Sequence, residues 1–298
     1  SFYNDRRGPT CDEREKLGVA KVSDGALCVF VEGEEAPLIV RKSDGGYGYA
    51  TTDLAAIRRR VRSIGADRVI YAVDARQSLH FRQIFGAATK AGYATREGGE
   101  GPSRLEHAAF GTVLGEDNRP FKTRSGENVK LADLLEEAVR RAGEAVAEKN
   151  PSLPDAERAS IAEAIGIAAV KFADLSSDRI RDYVFSFDRM LAFEGATGPY
   201  LLYALVRTRS IFRKAAERGI AFDAHAEGGF AVAEPAERTL ALTLLRYPST
   251  VRSVGESLEP HRLCQYLYDL ATAFSSFFEH CPVLSAEDEA LRSARLRL

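Results

Sequence analysis

Lys122, Arg124 and Ser125 lie in Phe121-Lys-Thr-Arg-Ser125, beside Gly126 and shortly after the strand-like run that ends near Leu114. Two cations and a hydroxyl next to a glycine suit a polyanion such as a triphosphate. No Gly-x-x-x-x-Gly-Lys-Ser/Thr sequence is present, so this is not a Walker-type phosphate cradle. A second group is Tyr49-Ala-Thr-Thr-Asp53, which crosses from an extended segment into a helix start. A phenol and a carboxylate at that spacing suit a guanidinium ligand, with its five donors and its preference for paired acceptors. The same spacing also suits a plain helix cap at Asp53 and a packed aromatic at Tyr49. A third group, Asp74-Ala-Arg-Gln77-Ser-Leu-His80, follows a strand end at Val73, where open α/β sheets bind ligands. His80 alone is more often structural than catalytic. His107-Ala-Ala-Phe110-Gly111, followed by Val113, is by itself a buried strand with a permissive glycine. In the second half, Tyr200, Tyr203, Arg207 and Arg209 recur along one helix, and rings beside guanidinium groups suit single-stranded RNA. An amphipathic core helix would read the same way.

The elements that must position these groups follow from hydrophobic period. Ala26–Val31 and Pro37–Arg41 are apolar, β-branched runs joined by a turn, and predict a hairpin. Leu54, Ile57, Val61 and Ile64 keep helical spacing over 53–64, with Asp53 as the cap and Gly65 as the stop. Arg68–Val73 reads as a strand of the buried parallel kind, Ser78–Ala91 as a helix, and 107–114 as the next strand. This β-α-β-α-β order implies a parallel sheet covered by helices. After Val129 the pattern turns helical, with helices expected at Leu131–Ala147, from Asp155 onward, and at Pro199–Arg218, Pro235–Tyr247, Pro260–Phe278 and Glu287–Leu298. The fold class is therefore α/β followed by all-α, with the change near 175–190.

The chain has 298 residues, 45% hydrophobic and 28% charged, enough for two cores, and its formal charge of −2 excludes a strongly basic nucleic-acid protein without excluding a local basic face. Arg58, Arg59, Arg60 and Arg62 form a cluster whose simplest reading is a solvated helix face. The cysteines at 11, 28, 264 and 281 share no Cys-x-x-Cys spacing and have no His at ligand distance. Zinc and a disulfide framework are not expected, no metal ligands are assigned, and a reducing cytoplasm is the expected location. No run approaches the ~20 apolar residues of a membrane span. The chain starts at Ser1 and closes at Leu298 in a basic amphipathic segment, so both ends read as cut.

Three segments, 43–57, 107–131 and 187–203, resemble arginyl-tRNA synthetases of class I, and the resemblance extends over about 17–298. It implies a partial Rossmann-type catalytic domain with connecting helices at 1–182 and a helical-bundle anticodon-binding domain at 183–298. The implied activity is that of an arginine-tRNA ligase, which activates arginine with ATP and Mg²⁺ and transfers it to tRNA(Arg). Tyr49, Asp53 and Gln77 then contact the substrate arginine. His80, His107, Phe110, Gly111 and Val113 lie on the ATP side. Lys122, Arg124 and Ser125 occupy the Lys-Met-Ser-Lys-Ser position, with Phe121 in place of its first lysine, and steady the pyrophosphate charge. Tyr200, Tyr203, Arg207 and Arg209 stand at the entry to the anticodon-binding domain, facing tRNA. The chain departs from the family in three ways. The His-x-Gly-His motif is absent from these residues, the end falls about one helix short, and Gly8-Pro9 is expected to break the helix that would precede the hairpin. The implied protein is a large C-terminal portion of the enzyme, with a separate polypeptide supplying the missing catalytic half as one route to activity. The alternatives are a non-catalytic tRNA-binding paralogue and an arginyl-tRNA supplier for a specialised pathway.

Overall fold

The computed structural model describes residues 3–16, 18–96, 98–99, 101–115, 117–119, 130–221, 223, 231–286 and 288–298, with backbone alone at 4–6, 10, 14 and 16. Its contacts divide it into two compact units, Ser1–Gly111 and Thr112–Leu298.

The first unit begins with α1 (Asn4–Lys16) and continues through β1 (Ala20–Ser23), β2 (Ala26–Val29), β3 (Leu38–Arg41), α2 (Tyr49–Arg58), β4 (Arg68–Asp74), α3 (Ser78–Lys90) and β5 (Arg104–Phe110). β1, β2 and β3 form an antiparallel meander with an irregularity between Leu27 and Cys28. Their inward residues Leu27, Val29, Leu38 and Val40 meet Leu54 and Ile57 of α2, Val61, and Ile84 of α3 in one core. The single parallel sheet expected from the β-α-β-α-β order is not what forms. Among the described residues β3 pairs only with β2, and β4 pairs with β5 in a separate parallel ladder running from Arg68↔Arg104 to Asp74↔Phe110. Val69 is buried while Ile70, its neighbour on the opposite face, is 45% exposed, so β4 is covered on one face rather than both.

Two further expectations for this unit are corrected. α1 runs through Gly8 and Pro9. An interior proline costs about 3 kcal/mol, but Cys11 is fully buried with its thiol towards Val40 O and Thr51 Oγ1, and Arg7 bonds Thr52, so packing overrides the local penalty. α2 starts at Tyr49 after a Gly48 cap, so Asp53 is inside the helix rather than capping it. The early start follows from Thr51, which is fully buried and donates its hydroxyl to Val40 O at the edge of β3. The helix then widens into a π-helical turn over Arg59–Ser63, which leaves Ile64 60% exposed.

The second unit holds β6 (Val113–Leu114), α4 (Leu131–Lys149), α5 (Asp155–Ser176), β7 (Tyr183–Val184), α6 (Phe187–Met190), α7 (Gly198–Glu217), α8 (Pro235–Leu245), α9 (Tyr247–Ser257), α10 (Pro260–His280) and α11 (Glu289–Arg297). The strand expected over 107–114 is two strands, and its second part pairs in parallel with β7. α10 packs against α5, α7, α8 and α9. Around it Leu240, Ala273, Phe277, Cys281, Val283 and Leu296 form one core, and Ala138, Ala169, Phe185 and Met190 form another beside β6 and β7. Two glycines allow close helix approach. A Cβ on Gly166 would lie 2.7 Å from the Val139 backbone, and one on Gly198 would lie 2.3 Å from Ala168 O.

Candidate functional site

In the first unit, Tyr49 and Asp53 sit one turn apart on α2, so they share a face. Tyr49 is 88% exposed and Asp53 is half-buried. α2 packs on α3, and this brings His80, in the first turn of α3, to the Asp53 carboxylate: Nε2 and Oδ2 are 2.8 Å apart. His80, expected beside the nucleotide, is thus placed against the carboxylate expected to read the amino acid. Gln77 is exposed on the short turn between β4 and α3, at the carboxyl end of β4. His107, on β5, bonds Val73 O through Nε2 at 2.9 Å and lies 4.6 Å from the Phe81 ring. Phe110 ends β5 and is 43% exposed, and Gly111 follows it. Asp53, Gln77, His80, His107 and Phe110 thus come from α2, the turn before α3, α3 and β5 within one unit.

Sequence reasoning missed the floor under these groups. Tyr71 on β4 stacks on Phe81 at 4.9 Å and accepts a hydrogen bond from Arg60 at 2.7 Å, with that guanidinium 5.2 Å from its ring. Burial pushes the Tyr71 hydroxyl up to about 12, against the pull of Arg60. The arginine cluster is therefore not a solvated face: Arg58 pairs with Glu13, and Arg62 donates to Gly92 O. Only the strand signal at Tyr71 was local, and nothing in the sequence pointed to a partner eleven residues away. Asp74 is engaged in turn, accepting the Arg76 backbone N–H and side chain, and the bond from that side chain, more than any other contact, holds its carboxyl down at about 2.

In the second unit, Val113 lies in β6, packed against the Ala138–Phe185 core. Lys122, Arg124 and Ser125 fall outside the described residues. On α7, Tyr203 is 51% exposed and the Arg207 guanidinium lies 5.1 Å from its ring and 4.1 Å from Phe278 of α10. Tyr200 turns inward, 5.7 Å from the Tyr268 ring, with its hydroxyl 3.5 Å from Ser275 Oγ. Tyr200, Tyr203, Arg207 and Arg209 do not all share one face of α7. At about 100° per residue, Arg209 lies roughly 200° around the helix from Arg207 and opposite Tyr200. Phe278 joins the face from 71 residues away, with no local signal. A cavity of about 870 Å³ also opens among α5, α7, α8, α10 and α11, lined mostly by aliphatic and aromatic side chains such as Leu202, Leu205, Leu267 and Phe274.

No described helix is long and apolar enough to cross a membrane. The family model for class I tRNA synthetases (R), catalytic domain, matches residues 1–187, and the DALR anticodon binding domain matches 201–298. The chain belongs to the arginyl class I tRNA synthetase family. It is similar to the arginine–tRNA ligase of Thermobifida fusca, 53% identical over all of this chain and 51% of the relative, and to that of Alcanivorax borkumensis, 50% identical over all of this chain and 50% of the relative. Among solved structures, an arginyl-tRNA synthetase from Plasmodium falciparum superposes with a TM-score of 0.83 at 30% identity, covering 99% of this chain and 49% of the other. One from Thermus thermophilus superposes with a TM-score of 0.79 at 28% identity, covering 98% and 54%. The chain therefore spans about half the length of the curated relatives it matches. Those relatives carry both halves of that length in one chain, which lends no support to a separate polypeptide.

Proposed function

We propose that this chain carries the amino-acid-recognition part of an arginine–tRNA ligase, an enzyme that activates arginine with ATP and transfers it to tRNA(Arg). The observation that carries the reading is the Asp53 carboxylate: His80 bonds one of its oxygens, Tyr49 lies one turn away on the same helix face, and the carboxyl end of β4 leads into the turn before His80. A fixed carboxylate with a phenol nearby is a guanidinium acceptor. In this reading Tyr49, Asp53 and Gln77 bind arginine, and His107, Phe110 and Gly111 line the adenine side of ATP. Val113, Lys122, Arg124 and Ser125 keep the nucleotide roles their matching positions imply. Mg²⁺ arrives on the triphosphate, whose oxygens are the hard donors this ion prefers. Tyr203 and Arg207, with Phe278, offer stacking and charge to tRNA. The functional division is placed at 182/183, a few residues before the gap between the family matches, which run to 187 and resume at 201. A reducing cytoplasm belongs to the same proposal, supported by four cysteines that are all buried thiols.

The test joins this chain to the remaining half of the Thermobifida fusca relative and supplies it with unfractionated tRNA and each amino acid in turn. Charging with arginine alone is the expected result. Charging with another amino acid, or none from a folded chimera, would sink the proposal.

A further inference from the structure

A guanidinium is planar and rewards a carboxylate that meets it in its own plane. An aspartate side chain with free rotors does not offer that orientation unless something holds it. Asp53 is held at one oxygen only: His80 takes Oδ2, and no other hydrogen bond to this side chain forms among the described residues. Its side chain keeps 30% of its surface open and that of His80 keeps 27%, so the pair is not closed off from a ligand. The imidazole is itself supported. It lies edge-on to Phe81 at 5.4 Å, and Phe81 is buried among Tyr71, Phe85 and His107. Ser78, at the start of the same helix, bonds Ala75 O at 2.6 Å and fixes the turn that aims His80. The neighbouring carboxylate, Asp74, is already paired with Arg76.

We propose that His80 is a positioning residue for amino-acid recognition: it fixes the plane of the Asp53 carboxylate so that an arriving guanidinium meets an aligned acceptor. The inference rests on the reading of Asp53 as the arginine contact. Its donor is one atom, the imidazole Nε2. A glutamine at 80 carries an amide nitrogen to about that place, whereas an asparagine does not reach it.

The experiment is calorimetric titration of L-arginine into the 298-residue chain and its His80→Gln, His80→Asn, His80→Ala and Asp53→Asn variants, with circular dichroism as the check on folding. The loss of a charge-assisted hydrogen bond predicts that His80→Ala and His80→Asn weaken arginine binding about tenfold or more, while His80→Gln stays within about threefold. A loss in His80→Gln as large as in His80→Ala would assign His80 a packing role and overturn the inference. So would undiminished binding by His80→Ala where Asp53→Asn abolishes it, and in that case the arginine reading of Asp53 survives. Absence of arginine binding by the folded parent chain would overturn that reading and this inference together.

Discussion

Asp53 and Glu237 are carboxylates put to different uses. Asp53 gives one oxygen to His80 and keeps 30% of its side chain exposed, whereas Glu237 is 2% exposed and engaged at both oxygens. Glu237 accepts the backbone N–H groups of Ala233 and Glu234 and the Nε of Arg295, which is itself buried and also donates to Pro282 O. Burial pushes the Glu237 carboxyl up, but the Glu234 N–H, Arg295 and the Ala233 N–H together outweigh it and leave the group below its ordinary value of 4.5. A carboxyl lowered in the folded state stabilises it above the unfolded value, and this stabilisation is lost as pH falls through the folded one. Urea unfolding followed from pH 7 downward should therefore show a loss of stability beginning near 4.5, and Glu237→Gln should make that loss smaller by removing its own share. Arg295→Ala should cost about 3–5 kcal/mol at neutral pH, because it leaves a buried carboxylate unpaired.

At the scale of elements, helix contacts depend on where backbones can approach. Gly166→Ala forces a methyl onto the Val139 backbone and should destabilise the α4–α5 pair by about 1–3 kcal/mol, measurable as a shift in urea midpoint at unchanged slope. An unchanged midpoint would mean that the helices separate without cost. On α7, exposed Tyr203 and the Arg207 guanidinium beside it predict separable effects on tRNA binding. Loss of stacking in Tyr203→Ala, about 1–3 kcal/mol, should persist at high salt, whereas the loss in Arg207→Ala should shrink as salt rises. Filter binding at two salt concentrations distinguishes them, and equal salt response would contradict the assignment. The helices of the second half were legible because their apolar period is long and their breaks carry Pro or Gly. α9 was not foreseen, since Pro248 reads as a stop yet sits in the first turn of a new helix. β1 was missed because its four residues alternate around a lysine and gain their identity only by pairing with β2. The start of α2 was misplaced for a similar reason, because Thr51 is recruited by a carbonyl eleven residues back, outside any helical period.

For the molecule as a whole, the class of fold and the family could be read from the sequence, but the partnerships within the site could not. The assignment of Tyr49, Asp53 and Gln77 to arginine comes from resemblance and not from their spacing. The contacts His80–Asp53, Arg60–Tyr71 and Arg207–Phe278 join residues that no periodicity connects. The central claim is that the α2–α3 face of the first unit reads arginine, and the most direct measurement is amino-acid-dependent ATP–pyrophosphate exchange in the presence of tRNA. It would use this chain joined to the remaining half of the Thermobifida fusca relative, with Asp53 intact or changed to alanine. Leaving a guanidinium unpaired costs about 2–5 kcal/mol, so Asp53→Ala should raise the KM for arginine by about thirtyfold or more. A KM for arginine that does not move when the carboxylate is removed would contradict the account.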